Sequence, residues 1–79
     1  MPSTPPPPWV LDRRRAIGRN IRAAREAKRP KLVQEKLGEA VGLDRKTINR
    51  IEQGTHATRI DYLILIADAL EVPLADLVR

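Results

Sequence analysis

Arg45, Lys46, Asn49, Arg50 and Gln53 follow one another at offsets of one, four, five and eight residues, so a helix drawn through them carries all five on one face. Each can donate hydrogen bonds. Arginine can grip guanine O6 and N7 bidentately, asparagine can pair with adenine N6 and N7, and the major groove of B-DNA admits a helix. The chemistry on offer is recognition of base edges. An ordinary solvated helix face has the same composition, so the row alone leaves both readings open. Catalysis fits poorly, because no nucleophile is paired with a base, no metal ligands cluster and no glycine-rich phosphate loop is present. The chain has no cysteine, which removes disulfides and thiolate metal sites, and no metal site can be built around its one histidine, His56. Neither a cofactor nor enzyme activity is expected.

The residues around the row explain how it would be held. Asp44 stands where a helix N-cap belongs and can accept from unpaired amides of the first turn. Leu43 and Ile48 have the spacing of a hydrophobic staple, and Gly54 supplies the left-handed stop. Ile48 and Ile51 share the opposite, inward face. Before this helix, Leu37 and Val41 recur at helical spacing after Gln34, and Gly42 marks a turn. Gly38 leaves room for a close helix crossing, which offsets the cost of about 1 kcal/mol that glycine carries inside a helix. Residues 34–54 thus read as two short helices joined by a glycine turn, a helix-turn-helix pattern.

With these residues in view, the chain resembles the phage-repressor and Cro type of helix-turn-helix, the XRE family. The resemblance covers residues 17–77 and is carried by IGRNIRAAR, by Gln34 opening the second helix, by LDRKTINRIEQG across the third and by YLILIADALEVPLADL at the end. It implies an all-α, lambda-repressor-like bundle of five helices, a prokaryotic or phage origin and a nucleoid-associated place in the cell. It also implies that Arg45, Lys46, Asn49 and Arg50 meet base edges, that Gln34 meets phosphate, and that Arg25 pairs with Glu52. Thr47, Gln53, Thr55, His56 and Arg59, with Arg29 and Lys31, complete the candidate phosphate contacts. Four departures stand out. Val33 replaces the usual Ser or Thr N-cap of the second helix, Gly38 replaces alanine, the link between Arg25 and Leu32 is longer than usual, and Leu65 is apolar where a polar residue is usual.

Length and charge agree with this reading. Seventy-nine residues make one small domain, which buries only about 60% of its unfolded surface and leaves little room for an enclosed active site. The net charge is +5, and nine basic residues against one acidic residue between positions 13 and 31 make that end strongly cationic. A polyanion is the natural partner, since each phosphate neutralised releases condensed counterions. The sequence shows neither a signal-peptide core nor an apolar run near the ~20 residues that span a bilayer, so a cytoplasmic protein with no membrane partner is expected.

Along the chain, residues 1–9 read as a disordered Pro-rich tail and residues 10–79 as the DNA-binding domain. Five of the seven prolines fall in the first eight residues, a density that forbids helix and favours extended polyproline II. Trp9 is expected to cap the apolar core. The first helix spans about 10–28, with Ile17, Ile21 and Ala24 inward, Pro30 closing it, and Arg13, Arg14 and Arg15 as further phosphate candidates. Thr58 and Asp61 are spaced as a capping box for a fourth helix whose core stripe is Ile60, Leu63, Ile64, Ala67 and Leu70. Leu74, Leu77 and Val78 suggest a short fifth helix, with Leu74 turned inward.

The function expected is a sequence-specific DNA-binding transcriptional regulator, a repressor, reading the major groove of double-stranded DNA with the helix at 45–53. A homodimer, formed in solution or only on DNA, is expected through Leu65, Leu77 and Val78. The alternative is a protein-interaction module on the same fold, an antitoxin or bridging factor with a protein partner.

Overall fold

The computed structural model describes residues 4–79, which form five helices and no strand. Helix α1, Pro8–Glu26, begins two residues earlier than periodicity suggests. Proline is pre-set for the first helical position, where its missing N–H would have had no partner. Pro8 and Trp9, assigned to the tail on sequence, therefore belong to α1. Trp9 does not cap the core: in the first turn of α1 it is 68% exposed. Of the expected disordered tail, residues 1–3 lie outside the described residues, and residues 4–7 carry no regular structure.

Helix α2, Gln34–Val41, starts at Val33 with no side-chain cap, the consequence of losing the usual hydroxyl there. It stops at Gly42, whose φ of 82° is left-handed. Helix α3, Arg45–Gln53, has the designed start and stop: Asp44 Oδ1 accepts from the Thr47 backbone N–H at 2.7 Å, and Gly54 has φ 76°. Gly38 is needed for the turn rather than for a crossing of helix axes. A Cβ there would lie 2.3 Å from the carbonyl oxygen of Leu43, and the Leu43 amide donates back to the Gly38 carbonyl at 2.9 Å.

Helix α4, Ile60–Leu70, corrects two expectations. The capping box does not form; Arg59 is the N-cap residue, and the Thr58 hydroxyl donates to the His56 carbonyl. The core stripe is Leu63, Ile66, Ala67 and Leu70, whereas Ile60 and Ile64 are 57% and 50% exposed. The run IDYLILIADAL is apolar at so many positions that a helical period fits more than one face. Helix α5, Leu74–Val78, corrects one expectation: Leu74 packs against the core as expected, half-buried, but Leu77, expected outward, is fully buried. Leu77 therefore cannot serve as a dimer contact, and Val78 is half-buried as well.

Two side chains of α1 hold α5 in this orientation. Asn20 Nδ2 donates to the carbonyls of Leu77 at 3.1 Å and Arg79 at 3.3 Å, and Arg13 donates to the Val78 carbonyl at 3.1 Å. Side chains of α1 thus satisfy the terminal carbonyls of α5, where a cation also meets the negative end of the helix dipole. The core fills the space between α1, α2, α3 and α4 with Ile21, Leu37, Ile48, Ile51, Ile66 and Leu70. Helix α3 packs on both α1 and α2, which leaves one long side of it free.

Candidate nucleic-acid interface

On that free side Arg45, Lys46, Arg50 and Gln53 are exposed, and Thr47 and Asn49 are half-buried at its edges. Ile48 and Ile51, on the other side, are buried and anchor the helix. Among the described residues none of Arg45, Lys46, Arg50 or Gln53 makes a side-chain hydrogen bond or ion pair within the chain, so their donors face solvent. The Asp44 cap and the Gly54 stop fix both ends of a nine-residue helix that would be marginal alone.

The far end of α3 is clamped to α1. Arg25 donates from Nε to Glu52 Oε2 at 2.7 Å and from Nη2 to Oε1 at 3.0 Å, and its Nη1 reaches the Leu32 carbonyl at 3.1 Å. The resemblance implied this pair, and the structure places it in the core. Hydrogen bonding to Glu52 holds the Arg25 guanidinium above its ordinary pKa against the opposing effect of burial, so the cation persists. Close packing accompanies the clamp. A Cβ on Gly18 would fall 2.4 Å from the Glu52 carbonyl oxygen, so α1 can approach the end of α3 only with glycine there. Gly18 was not singled out from sequence, although a glycine in mid-helix was a signal that could have found it.

A cleft of about 830 Å³ opens between the last turns of α1, the 27–33 loop, the start of α2 and α3. It brings together Arg29, Lys31, Gln34, Arg45 and Asn49 from the expected contacts and adds Arg22, which sequence reasoning missed. Arg22 pairs with Glu26 at 3.3 Å, and Arg29 donates to the Glu26 and Lys28 carbonyls at 2.8 Å, so two of these cations are partly engaged. Gln34 is half-buried, and its amide bonds to Asn49 and Glu52. Thr55, His56 and Arg59 lie apart from this cleft, beyond Gly54, where Thr55 Oγ1 donates to the Arg50 carbonyl at 3.3 Å. His56 instead lines a smaller groove of about 280 Å³ with Arg13 and Arg14. The candidate contacts therefore form two groups, one in the cleft along α3 and one beyond its C-terminal end.

A family model described as helix-turn-helix matches residues 21–77. The chain belongs to the XRE-type helix-turn-helix family. As a helix-turn-helix protein of this type it is a DNA-binding transcriptional regulator. A solved relative is the restriction-modification controller protein C.AhdI from Aeromonas hydrophila, which matches with a TM-score of 0.78 and 28% identity over 85% of this chain and 94% of its own. No curated protein matches the chain in sequence. Among the described residues no group of side chains is placed to hold a metal ion, and no helix is long and apolar enough to cross a membrane.

Proposed function

We propose that this regulator represses transcription by laying α3 in the major groove of a specific operator. The observation that carries the reading is the row Arg45, Lys46, Asn49 and Arg50 on the free side of a helix whose two ends are fixed by Asp44 and by the Arg25–Glu52 pair. A helix fixed at both ends before binding need not be ordered on DNA, so the cost of binding is confined to its side chains. Lys31, Gln34 and Arg29 in the cleft beside α3, and Thr55, His56 and Arg59 beyond its C-terminal end, supply phosphate contacts that fix the register, with Thr47 and Gln53 on α3 itself. Occupation of promoter DNA is sufficient for repression. The likeness to a restriction-modification controller protein supports control of restriction-modification genes as the biological setting.

One helix reads few base pairs, so useful specificity calls for a two-fold dimer on half-sites about 34 Å apart. With Leu77 buried, the apolar patch that could pair is Ile60, Ile64 and Leu65, spaced to share one side of α4. The same patch is the feature that favours the alternative, a protein-interaction module with an apolar partner.

Selection from random duplex DNA tests the main reading. Wild type should enrich a short palindromic sequence, and Arg45→Ala or Arg50→Ala should each weaken binding to it by about 1–3 kcal/mol and relax preference at one base pair. If the pool stays random, or both variants keep affinity and preference, α3 is not the reading helix.

A further inference from the structure

The three consecutive arginines of α1 differ in what they meet. Arg13 is exposed and donates to the Val78 carbonyl at 3.1 Å, and Arg15 is exposed and pairs with Asp12 at 3.5 Å. Arg14 between them is half-buried and makes no side-chain hydrogen bond or ion pair among the described residues. A guanidinium partly withdrawn from water with no acceptor is uncompensated. What it lines is the groove of about 280 Å³ that also holds His56. Val10, Arg14 and Ile17 border it from one side of α1, while Ile51 of α3 and Leu63 of α4 extend the aliphatic lining. His56 and Thr58 border it from the loop after α3. One unpaired cation thus stands beside four aliphatic side chains in a single concave site.

We propose that this groove binds a small organic acid, a carboxylate with an aromatic or branched aliphatic body, and that the bound acid weakens the grip on DNA. The planar guanidinium fork of Arg14 matches a carboxylate through two parallel hydrogen bonds, and Val10, Ile17, Ile51 and Leu63 take the apolar body. Apolar walls with one charged group to fix orientation are the usual make-up of a small-molecule site. A bare phosphate, free or in a DNA backbone, would satisfy Arg14 and leave those walls against water, so the lining favours an acid that carries a body. The volume lies just below the ~300–1,000 Å³ of sites for drug-sized ligands, which restricts the acid to a smaller molecule. Coupling to DNA follows from position. The groove is bordered by the loop whose His56 is a proposed phosphate contact, and a carboxylate there adds negative charge beside it. Acid and DNA then oppose each other, each lowering the affinity of the other by the same factor. This coupling rests on the reading of α3 as the major-groove helix; binding of the acid does not.

The test titrates the full chain, free of DNA, with phenylacetate and 4-methylpentanoate. Their neutral amides keep the shape without the charge, and inorganic phosphate keeps a charge without the body. At least one acid should bind with a Kd at or below about 1 mM, about tenfold or more tighter than its amide and than phosphate. Backbone resonances of Val10, Ile17 and Leu63 should shift with it. Arg14→Gln, checked for a wild-type melting curve, should bind acid and amide within about twofold of each other. Neither acid binding at about 10 mM, an amide or phosphate that binds wild type as well as the acid does, or shifts confined to the cleft of Arg22, Arg29 and Lys31 overturns the proposal without any variant having to fold. On the duplex selected from random DNA, at fixed ionic strength, the saturating acid should weaken binding by about threefold or more, and its amide should not. Unchanged DNA affinity beside sound acid binding overturns the effector role and leaves the site. A chain that selects no duplex removes the major-groove reading, while the comparison of acid with amide still decides the site.

Discussion

Arg25 and Glu52 face each other through two hydrogen bonds, at 2.7 and 3.0 Å, with their side chains only 9% and 2% exposed. The pair joins α1 to the last turn of α3 and, through the third guanidinium donor, holds the Leu32 carbonyl of the loop before α2. Removing one member leaves the other charged and buried. Glu52→Ala should therefore cost about 3–5 kcal/mol, a large share of the stability of a small domain. Replacing both residues should recover part of that loss, because no stranded charge remains. A melting curve of Glu52→Ala that overlays wild type would show the pair to be dispensable.

The cations of the first third divide into two groups that a salt titration can separate. Arg13 is committed to the Val78 carbonyl, whereas Lys31 lines the cleft and makes no ion pair among the described residues. Lys31→Ala should flatten the dependence of log affinity on log salt by about 0.9, the value for one phosphate contact. Arg13→Ala should leave that slope unchanged and lower the melting temperature, through the loss of its bond to α5. Equal slopes for Lys31→Ala and wild type would place Lys31 in solvent.

Asp44 gives the start of α3 a dependence on pH. Hydrogen bonding from Thr47, by its side chain and then its backbone, holds the Asp44 carboxyl below its ordinary pKa, with Arg50 and Lys46 adding to the effect. A depressed carboxylate contributes stability that is complete above the unfolded value and is lost as pH falls through the folded one. The melting temperature of wild type should therefore exceed that of Asp44→Ala at about pH 7, and the difference should shrink as pH drops below about 4. Asn can cap without titrating, so Asp44→Asn should show no such convergence. A constant difference between wild type and Asp44→Ala across this range would contradict the assignment.

Assembly through α4 predicts a second set of variants. Ile64→Glu and Leu65→Glu place charges in the exposed apolar patch and should lower the stoichiometry on a palindromic duplex from two chains to one, while leaving the fold intact. Sedimentation of free and DNA-bound protein separates a stable dimer from one that pairs only on DNA. Wild-type stoichiometry in both variants would place the contact elsewhere.

Much of the architecture was legible because it rests on local rules. The start and stop of α3 follow from Asp44 and Gly54, the turn from Gly42, and the uncapped start of α2 from Val33, all through contacts spanning a few residues. The site was legible as a row of residue types at helical spacing and, for the Arg25–Glu52 pair, through likeness to a family. The misreadings cluster where local rules lose resolving power. In α4 the apolar positions are too dense for a period to choose a face, so Ile60 and Ile64 were placed inside. In α5 a five-residue helix makes little more than one turn, and periodicity cannot say whether Leu74 or Leu77 points inward.

The sequence by itself determined that this chain forms helices, that one of them, capped by Asp44 and stopped by Gly54, carries a row of donors, and that its cationic first third calls for a polyanion. These properties depend on neighbours within one helical turn or on composition, and neither requires knowing the fold. Tertiary structure alone decided that Leu77 is buried beneath α1, that Arg13 and Asn20 close the end of α5, and that Gly18 allows α1 to touch the end of α3. It alone joined Arg25, Glu52, Gln34 and Asn49 into one hydrogen-bonded chain. Arg25 and Glu52 are 27 positions apart, and Gln34 and Asn49 are 15. At such distances donor and acceptor meet only because the packing of three helices around a common core brings them together, and no local pattern encodes which partner will be there.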